Sequence, residues 1–387
     1  MPIAVIALFL GAFCVGTTEF VVAGLLPEVA RDLDVTIPAA GYLITAYALG
    51  VAIGGPVLTL GIARYSRKRN LLLLLAIFVA GHLWCATAGT YESLLSGRLL
   101  VALSHGSYFG VAGVVAVSLV PENKRGAAIA WLFAGISVAN ILGVPLGTAI
   151  GNWLGWRATF WIIGGAALLV MGAIAWTVPA DKSTASEGSR IASQVKAIGN
   201  QQVLMAYLTF AVMLIGFWSF FTFVAPFLTE VVQVDQRTLP VMLFLFGAGA
   251  TLGTFIGGKL ADQIPQRTLI IGISAQAVAF LAVFVAGAGP IIMGGVLFGF
   301  GVIMFVPAAS IVNRVLEGAS AAPDLASTLI STAANLGIAA GAALGAQLLA
   351  GGVGLGYLPL SGVVFSALAA GVILISIRKD PRSIVGL

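Results

Sequence analysis

Residues 3–26 read IAVIALFLGAFCVGTTEFVVAGLL and contain one carboxylate, Glu19, among apolar and small side chains. An α-helix rises about 1.5 Å per residue, so this stretch is long enough to cross the ~30 Å hydrocarbon core of a bilayer. A charged side chain inside that core is costly and usually faces a cavity or a partner. The stretch therefore predicts a membrane span in which Glu19 binds a proton on a transport pathway. Two simpler interpretations stay open: Glu19 lies near the headgroups, or it is kept protonated.

The whole chain has the composition of a membrane protein. It is 60% hydrophobic and only 9% charged over 387 residues, with a mean hydropathy of +1.08, whereas soluble domains carry about 25% charged residues. Long uncharged runs recur along the chain, so the predicted fold class is an all-α integral membrane protein with twelve transmembrane helices in two pseudo-symmetric six-helix halves. The predicted spans are 3–26, 38–62, 70–89, 93–119, 127–150, 158–178, 201–229, 239–257, 268–288, 290–312, 326–350 and 356–377.

The longest polar stretch, residues 179–200, lies in the middle of the chain and is predicted to be a flexible cytoplasmic linker. It separates an N-terminal half, 1–178, from a C-terminal half, 201–387. A weak internal repeat supports this division, because residues 62–64 align with 260–262 in the loop after the second span of each half. Parallel six-span repeats are one known plan for transporters.

Lysine and arginine predict the orientation. If the N-terminus is inside, 15 of the 19 basic residues fall in inner loops and the tail, Arg98 lies within a span, and the outer loops hold only Arg31, Arg157 and Arg237. Basic residues are enriched on the cytoplasmic side, so both termini are predicted to be cytoplasmic. The net charge of +5 is spread over short loops and does not indicate a nucleic-acid partner.

Four motifs carry a family resemblance: GTTEF at 16–20 followed by GL at 24–25, GRL at 97–99 with SHG at 104–106, GVPLG at 143–147, and GWR at 155–157. They resemble the major facilitator superfamily and, within it, the drug/proton antiporter branch with its arabinose and sugar-efflux transporters and chloramphenicol-resistance exporters. The resemblance implies a bacterial inner-membrane protein, a monomer, that exports a sugar or drug-like amphiphile by alternating access. Its partners would be the substrate, protons and the bilayer, and it would need no cofactor beyond the proton gradient.

Three polar side chains are candidates for proton coupling. Glu19 and Arg98 lie about 12 Å and 10 Å from the outer ends of their predicted helices, a similar depth, so we expect them to pair. The resemblance associates Arg98 with proton transfer, and His105 lies two turns further along the same helix face. The simpler interpretations are a purely structural ion pair and a packed histidine bonded to backbone.

The resemblance also implies that spans one, four, seven and ten line a central cavity. The residues we expect to contact substrate there or nearby are Phe109, Asn140, Trp218, Phe221 and Asn335. A Trp218 and Phe221 wall opposite Arg98 and His105 would suit a substrate with an apolar body and polar groups. The alternatives are that the aromatic stripe faces lipid or the core, and that the two amides only bind neighbouring helices.

Small residues recur at every fourth position of the fifth predicted span, which favours close helix packing. They are Gly135, Ala139, Gly143, Gly147 and Gly151, and the eleventh span repeats the pattern at Gly337, Gly341 and Gly345. Within this stripe, Gly143, Pro145 and Gly147 resemble the antiporter signature of the export branches, which adds a preference for antiport.

The loop between spans two and three departs from the family pattern. Its sequence GIARYSRKR, at 61–69, lacks the usual aspartate, whereas the second-half copy keeps Asp262. Arg64, Arg69, Asp262 and Arg267 are candidates for a cytoplasmic gate. Alternatively, Arg64 and Arg69 only mark topology and bind anionic lipid headgroups.

Other functions fit the sequence less well. Proton-coupled uptake or uniport of a sugar or nucleoside remains an alternative. A membrane transferase would need acidic or histidine clusters at a membrane face, which the short loops lack, so we expect no enzyme. A channel or purely structural protein does not fit a two-half repeat with a lone midspan carboxylate. The two cysteines and two histidines form no cluster, so no metal site is expected.

Overall fold

The computed structural model describes residues 1–180, 199–286, 289–320 and 323–378. Within those ranges, 12 helices are long and apolar enough to cross a membrane, which confirms the predicted all-α fold with twelve spans. In chain order they are α1 Ile3–Asp32, α2 Ile37–Ile62, α3 Arg67–Thr87, α4 Tyr91–Ser118, α5 Glu122–Leu154, α6 Trp156–Thr177, α7 Gln201–Phe221, α8 Leu239–Gln263, α9 Pro265–Val285, α10 Pro290–Gly318, α11 Leu325–Ala350 and α12 Leu355–Arg378. Nearly all of the predicted linker, and the basic residues Lys379 and Arg382, lie outside the described residues.

Two spans of the first half widen locally at a proline. In α2 the segment Gly50–Gly54 is a π-turn that precedes Pro56, and in α5 the segment Ala139–Gly143 is a π-turn that precedes Pro145. Proline has no N–H, and its ring clashes with the carbonyl four residues earlier. A wider turn relieves the clash while keeping most backbone hydrogen bonds inside the helix.

The seventh span, α7, is shorter than predicted. The predicted span 201–229 ends as a regular helix at Phe221. Beyond it, Val224–Pro226 and Phe227–Val231 form one short helical turn and one π-turn. Pro226 lies in the short turn that follows, where its missing N–H removes one hydrogen bond of a regular helix.

The chain divides into two compact units, Met1–Ser186 and Glu187–Leu387. In the first unit α5 lies against α1, where a Cβ atom on Gly135 would come within 2.5 Å of the Phe9 carbonyl oxygen. In the second unit α11 lies against α7 in the same way, with Gly337 next to the Ala211 carbonyl. The small-residue stripes therefore let the backbones of each helix pair approach closely.

The GWR motif ties together three helices of the first unit. Gly155 has φ +85°, a left-handed conformation that favours glycine, and it lets α6 start immediately after α5. Arg157 pairs with Asp32 at the end of α1 and donates through Nη2 to the Ala88 carbonyl, 2.7 Å away, after α3. Trp156 Nε1 also donates to Asp32, at 3.0 Å. These bonds fix one end of α1 relative to α3 and α6.

Candidate functional site

The centre of the candidate site is Arg98 on α4, which is fully buried in the first unit. Its Nη1 donates to the Thr18 carbonyl at 2.9 Å and approaches the Thr18 hydroxyl at 3.3 Å. Its Nε and Nη2 atoms are also buried, and they have no hydrogen-bond partner among the described residues. These two nitrogens share one edge of the guanidinium, the edge that binds a carboxylate through two parallel hydrogen bonds.

Thr18 joins Arg98 to a second buried side chain, His82 on α3. The Thr18 hydroxyl lies 2.9 Å from His82 Nε2, and His82 Nδ1 lies 2.9 Å from the Phe78 carbonyl oxygen. A carbonyl oxygen only accepts hydrogen bonds, so Nδ1 carries the hydrogen and Nε2 of the neutral ring accepts the one from Thr18. The remaining lone pairs of the Thr18 hydroxyl are then free to face Arg98. Thus α1, α3 and α4 meet in one chain of hydrogen bonds.

Tyr47 on α2 connects Arg98 to His105. The guanidinium carbon of Arg98 lies 3.9 Å from the centre of the Tyr47 ring, a cation–π geometry. At the other end of the same side chain, the Tyr47 hydroxyl lies 2.9 Å from His105 Nδ1. A single aromatic side chain from α2 therefore contacts two of the predicted coupling residues, which lie two turns apart on α4.

Glu19 faces His105 and not Arg98. The Glu19 Oε2 atom lies 4.0 Å from His105 Nε2, and the two side chains are 15% and 9% exposed. Within the described ranges, Arg98 has no carboxylate oxygen within 4.0 Å, so the ion pair expected from the sequence is absent here. In this structure the Thr18 carbonyl binds one end of the guanidinium and the Tyr47 ring covers one face, while the Nε–Nη2 edge stays without a partner among the described residues. Similar depth in the membrane did not decide which side chains meet.

The other predicted residue next to this site is Phe109. Its ring packs edge-on against His105 at 5.7 Å between centres and stacks on Phe133 of α5 at the same distance. Phe109 is half-buried, so part of its ring remains accessible beside His105. Asn140, also predicted to contact substrate, lies buried within the π-turn of α5.

In the second unit, the predicted aromatic residues form a packed cluster. Trp218 and Phe221 are each 1% exposed and lie 5.7 Å apart, and Phe221 packs against Phe246 at 4.5 Å. The rings that make up this cluster are Phe217, Trp218, Phe220, Phe221, Phe246, Phe280, Phe300 and Phe305. These ring contacts are the ones expected if the stripe packs in the core, and they do not distinguish that alternative from a wall that contacts substrate. The role of Trp218 and Phe221 in substrate contact stays a prediction.

In the side-chain amide of Asn335 on α11, the nitrogen has a hydrogen-bond partner among the described residues and the oxygen has none. Its Nδ2 donates to the Ser331 carbonyl at 3.0 Å within the same helix, while the buried Oδ1 has no partner in the part of the chain that the structure describes. The side chain is 5% exposed. A helix contact therefore accounts for the Asn335 donor but leaves its acceptor unexplained.

The four candidate gate residues lie at helix ends. Arg64 and Arg69 both pack on the Tyr65 ring, with guanidinium carbons 4.9 Å and 4.5 Å from the ring centre. Arg64 also donates to the Tyr65 hydroxyl. Asp262 near the end of α8 and Arg267 near the start of α9 are both exposed. Their action as a gate stays a prediction.

The predicted antiporter motif lies in the seam between α5 and α1. A Cβ atom on Gly143 would overlap Thr17, and one on Gly147 would come within 2.6 Å of Val21. Pro145 lies buried between these two glycines, directly after the π-turn. The seam holds the α1 backbone in place beside Thr18 and Glu19, so the motif supports the site without contacting Arg98.

Three members of the site, Thr18, Tyr47 and His82, were not among the residues predicted from the sequence. Thr18 lies inside the GTTEF motif, which was recognised for Glu19 alone. Tyr47 and His82 are polar groups within apolar spans, which is the signal that could have identified them. No group of three or more His, Cys, Asp or Glu side chains that could hold a metal ion occurs in the described ranges.

Comparisons with known proteins place the chain among transporters. A family model described as the Major Facilitator Superfamily matches residues 8–342. The inner membrane transport protein YdhP of Escherichia coli K12 is 36% identical over 98% of this chain and 97% of its own length. The chloramphenicol resistance protein of Streptomyces lividans is 33% identical over 94% of both chains. A probable sugar efflux transporter of Helicobacter pylori G27 is 32% identical over 93% of this chain and 91% of its own length.

Solved structures support the same fold. A bacterial homologue of the human lysosomal transporter Spinster superposes with a TM-score of 0.82, at 17% identity, over 98% of this chain and 97% of that one. At this level of identity the likeness shows the fold alone.

Proposed function

Since this chain belongs to the Major Facilitator Superfamily, we propose that it exports a small molecule in exchange for protons by alternating access. Its family and relatives are transporters rather than enzymes, and it is a multi-pass membrane protein. We propose that it is a monomer in the bacterial inner membrane with both termini cytoplasmic. The distribution of basic residues supports the orientation, and the name of the E. coli relative supports the membrane. The substrate class is a sugar or a drug-like amphiphile, because relatives carry the names of sugar efflux and chloramphenicol resistance proteins.

One observation carries the proton-coupling part: a buried carboxylic acid faces a buried histidine next to an arginine with an unsatisfied edge. Glu19 lies 4.0 Å from His105, and the Nε and Nη2 atoms of Arg98 have no partner in the described ranges. Glu19 directly follows Thr18, whose carbonyl oxygen binds Arg98. We propose that a change in the side-chain rotamer of Glu19 exchanges His105 for Arg98 as its neighbour.

The chemistry of the two neighbours suggests how a proton would act. An ionised Glu19 carboxylate would bind the open edge of Arg98 through two charge-assisted hydrogen bonds. A protonated Glu19 has lost the charge that favours this pairing, so it would return to His105. Protonation would thus alternate the position of Glu19 and the balance of charge around Arg98. Substrate export would be coupled to this alternation, because proton and substrate would each favour a different conformation of the protein.

The test uses inside-out vesicles with an acidic interior, a pH-sensitive dye, and a panel of pentoses, hexoses, chloramphenicol and other amphiphiles. We expect at least one compound to release protons from vesicles that hold the native protein. We expect Glu19→Gln to abolish that release while substrate-for-substrate exchange persists, because the variant keeps the shape of the side chain and removes its proton. Proton release by Glu19→Gln equal to that of the native protein would exclude Glu19 as the coupling site.

Glu122→Gln is the matched control for the loss of one carboxylate. The Glu122 side chain is 84% exposed and pairs with Arg125 one helical turn away. We expect it to release protons like the native protein. Loss of both activities in Glu19→Gln would show that the fold, and not the coupling step, has been damaged.

A further inference from the structure

Tyr47 contacts Arg98 with its ring and His105 with its hydroxyl group. We propose that Tyr47 is a positioning residue that fixes His105 as the neutral tautomer with its hydrogen on Nε2, the nitrogen that faces Glu19. The tautomer follows from the hydrogen bonds alone, while its consequence for coupling rests on the proposed function.

The hydroxyl group of Tyr47 determines which ring nitrogen of His105 carries the hydrogen. Tyr47 is buried, and its hydroxyl has one hydrogen-bond partner among the described residues, His105 Nδ1 at 2.9 Å. A phenol carries one hydrogen and is a good donor. If His105 Nδ1 also carried a hydrogen, the phenol would have to accept, and its own hydrogen would be left buried without an acceptor. That loss favours the bare Nδ1 by about tenfold.

Arg98 lies on the face of the Tyr47 ring and strengthens this preference. The guanidinium carbon lies 3.9 Å from the centre of the Tyr47 ring. A cation in this position withdraws electron density from the phenol and makes its O–H group a stronger donor. The same positive charge disfavours a second one on His105, two helical turns away. The first effect strengthens the hydrogen bond to Nδ1, and the second favours the neutral ring without selecting a tautomer.

The other histidine, His82, has the opposite pattern of hydrogen bonds. His82 Nδ1 faces the Phe78 carbonyl oxygen and must carry the hydrogen, and His82 Nε2 accepts from Thr18. His105 has its acceptor on Nδ1 and leaves Nε2–H for Glu19. These are the 2 histidines of the chain, so the two rings are predicted to hold opposite tautomers.

The groups around His105 agree with this assignment. Among the described residues of the first unit, the titratable or charged groups next to it are Glu19 from α1, Tyr47 from α2 and, across the Tyr47 ring, Arg98 from its own helix. From α3, His82 lies by Thr18 and Arg98 and does not contact His105. With Nε2–H presented to it, a protonated Glu19 faces a donor with its carbonyl oxygen, and an ionised Glu19 does so with either oxygen. Tyr47 would thereby make Glu19, and not His105, the group that exchanges the proton.

The experiment is nitrogen NMR of the full-length protein, labelled with ¹⁵N-histidine, in lipid nanodiscs at neutral pH. A bare ring nitrogen and an N–H nitrogen resonate far apart, and correlations to the carbon-bound ring hydrogens identify Nδ1 and Nε2. We expect one ring with Nδ1–H and one with Nε2–H. The spectrum of His105→Gln retains His82 alone and assigns the pair. A native His105 that is doubly protonated, or that carries its hydrogen on Nδ1, would overturn the proposal.

Tyr47→Phe then tests the residue itself. It keeps the ring beneath Arg98 and removes the hydroxyl, so we expect His105 to become a mixture of tautomers with roughly a tenfold loss of preference. The His82 signals should not change, and they report that the fold is intact. An unchanged His105 in Tyr47→Phe would show that Tyr47 does not fix the tautomer.

Proton release by the same variants separates this inference from the proposed function. We expect Tyr47→Phe to change the pH profile of proton release, and Tyr47→Phe combined with His105→Gln to show the profile of His105→Gln alone. If no compound on the panel releases protons while the two opposite tautomers are observed, the proposed function fails and the tautomer assignment stands. If proton release occurs and its pH profile is the same in Tyr47→Phe, the assigned role of Tyr47 in coupling is refuted.

Discussion

The hydroxyl group of Thr18 contacts both His82 and Arg98, so its removal tests the connection between these two side chains. Thr18→Val replaces a fully buried side chain with one of nearly the same shape, so no cavity forms. His82 Nε2 loses its donor, while Arg98 loses a 3.3 Å contact and keeps the Thr18 carbonyl at 2.9 Å. The dominant cost is therefore the stranded acceptor on His82.

The expected magnitude follows from that acceptor. Leaving one buried polar group unsatisfied costs about 1–3 kcal/mol. For a unit of about this size, each 1 kcal/mol lowers the melting midpoint by about 2–4 °C, so a loss of about 2 kcal/mol gives about 4–8 °C. The assay is thermal unfolding of the purified protein in one detergent, followed by intrinsic fluorescence.

The neighbouring threonine supplies a matched control. Thr17 is also buried, and its hydroxyl donates only to the Phe13 carbonyl of its own helix, which the helix already bonds. We expect Thr17→Val to change the melting midpoint by less than half as much as Thr18→Val, and Thr18→Ser, which keeps the hydroxyl and loses one buried methyl group, to cost about 1 kcal/mol and less than Thr18→Val. Equal losses in Thr17→Val and Thr18→Val would refute the link through Thr18.

Two further predictions concern packing in the first unit, and both are checked by the same melting assay. Gly135→Ala places a methyl group 2.5 Å from a carbonyl oxygen of α1, so overpacking should cost about 1–3 kcal/mol; Gly126→Ala, in the same helix with open space around it, should cost nothing or stabilise through helix propensity. Destabilisation of the same size in both would contradict the close α1–α5 seam. Arg157→Gln should cost more than Asp32→Asn, because their exposed ion pair is worth about 0–1 kcal/mol while Arg157 also bonds a backbone carbonyl. Equal losses would mean that the ion pair alone holds this turn.

The sequence predicted the spans because the bilayer constrains each helix locally. Every backbone N–H and C=O inside hydrocarbon must be bonded within the span, so a run of about twenty apolar residues is enough to indicate a helix. The largest departure is the length of α7, which ends at Phe221, and Pro226 did not make that end readable because prolines also lie inside α1, α2 and α5. The motifs around Glu19 and Arg98 identified two of the helices that build the site.

The contacts within the site were not readable in this way. Glu19 and Arg98 lie at similar depths, and depth alone suggested an ion pair. The direction in which each side chain points depends on how α1 and α4 are rotated about their axes. That rotation is set by packing, including the seam in which Gly143 meets Thr17. The partner of Glu19 in this structure is His105 for that reason.

By itself, the sequence determined a twelve-span membrane protein with charged and polar groups placed within its first and fourth helices. These features depend on hydropathy and on residue position along single helices, which are properties of the chain. Only the tertiary structure decided that Tyr47 of α2 lies between Arg98 and His105, and that His82 of α3 reaches Thr18. Neither residue is near its partner in sequence, and a hydrogen bond of 2.9 Å between helices depends on axis rotations and crossing angles that no local pattern encodes.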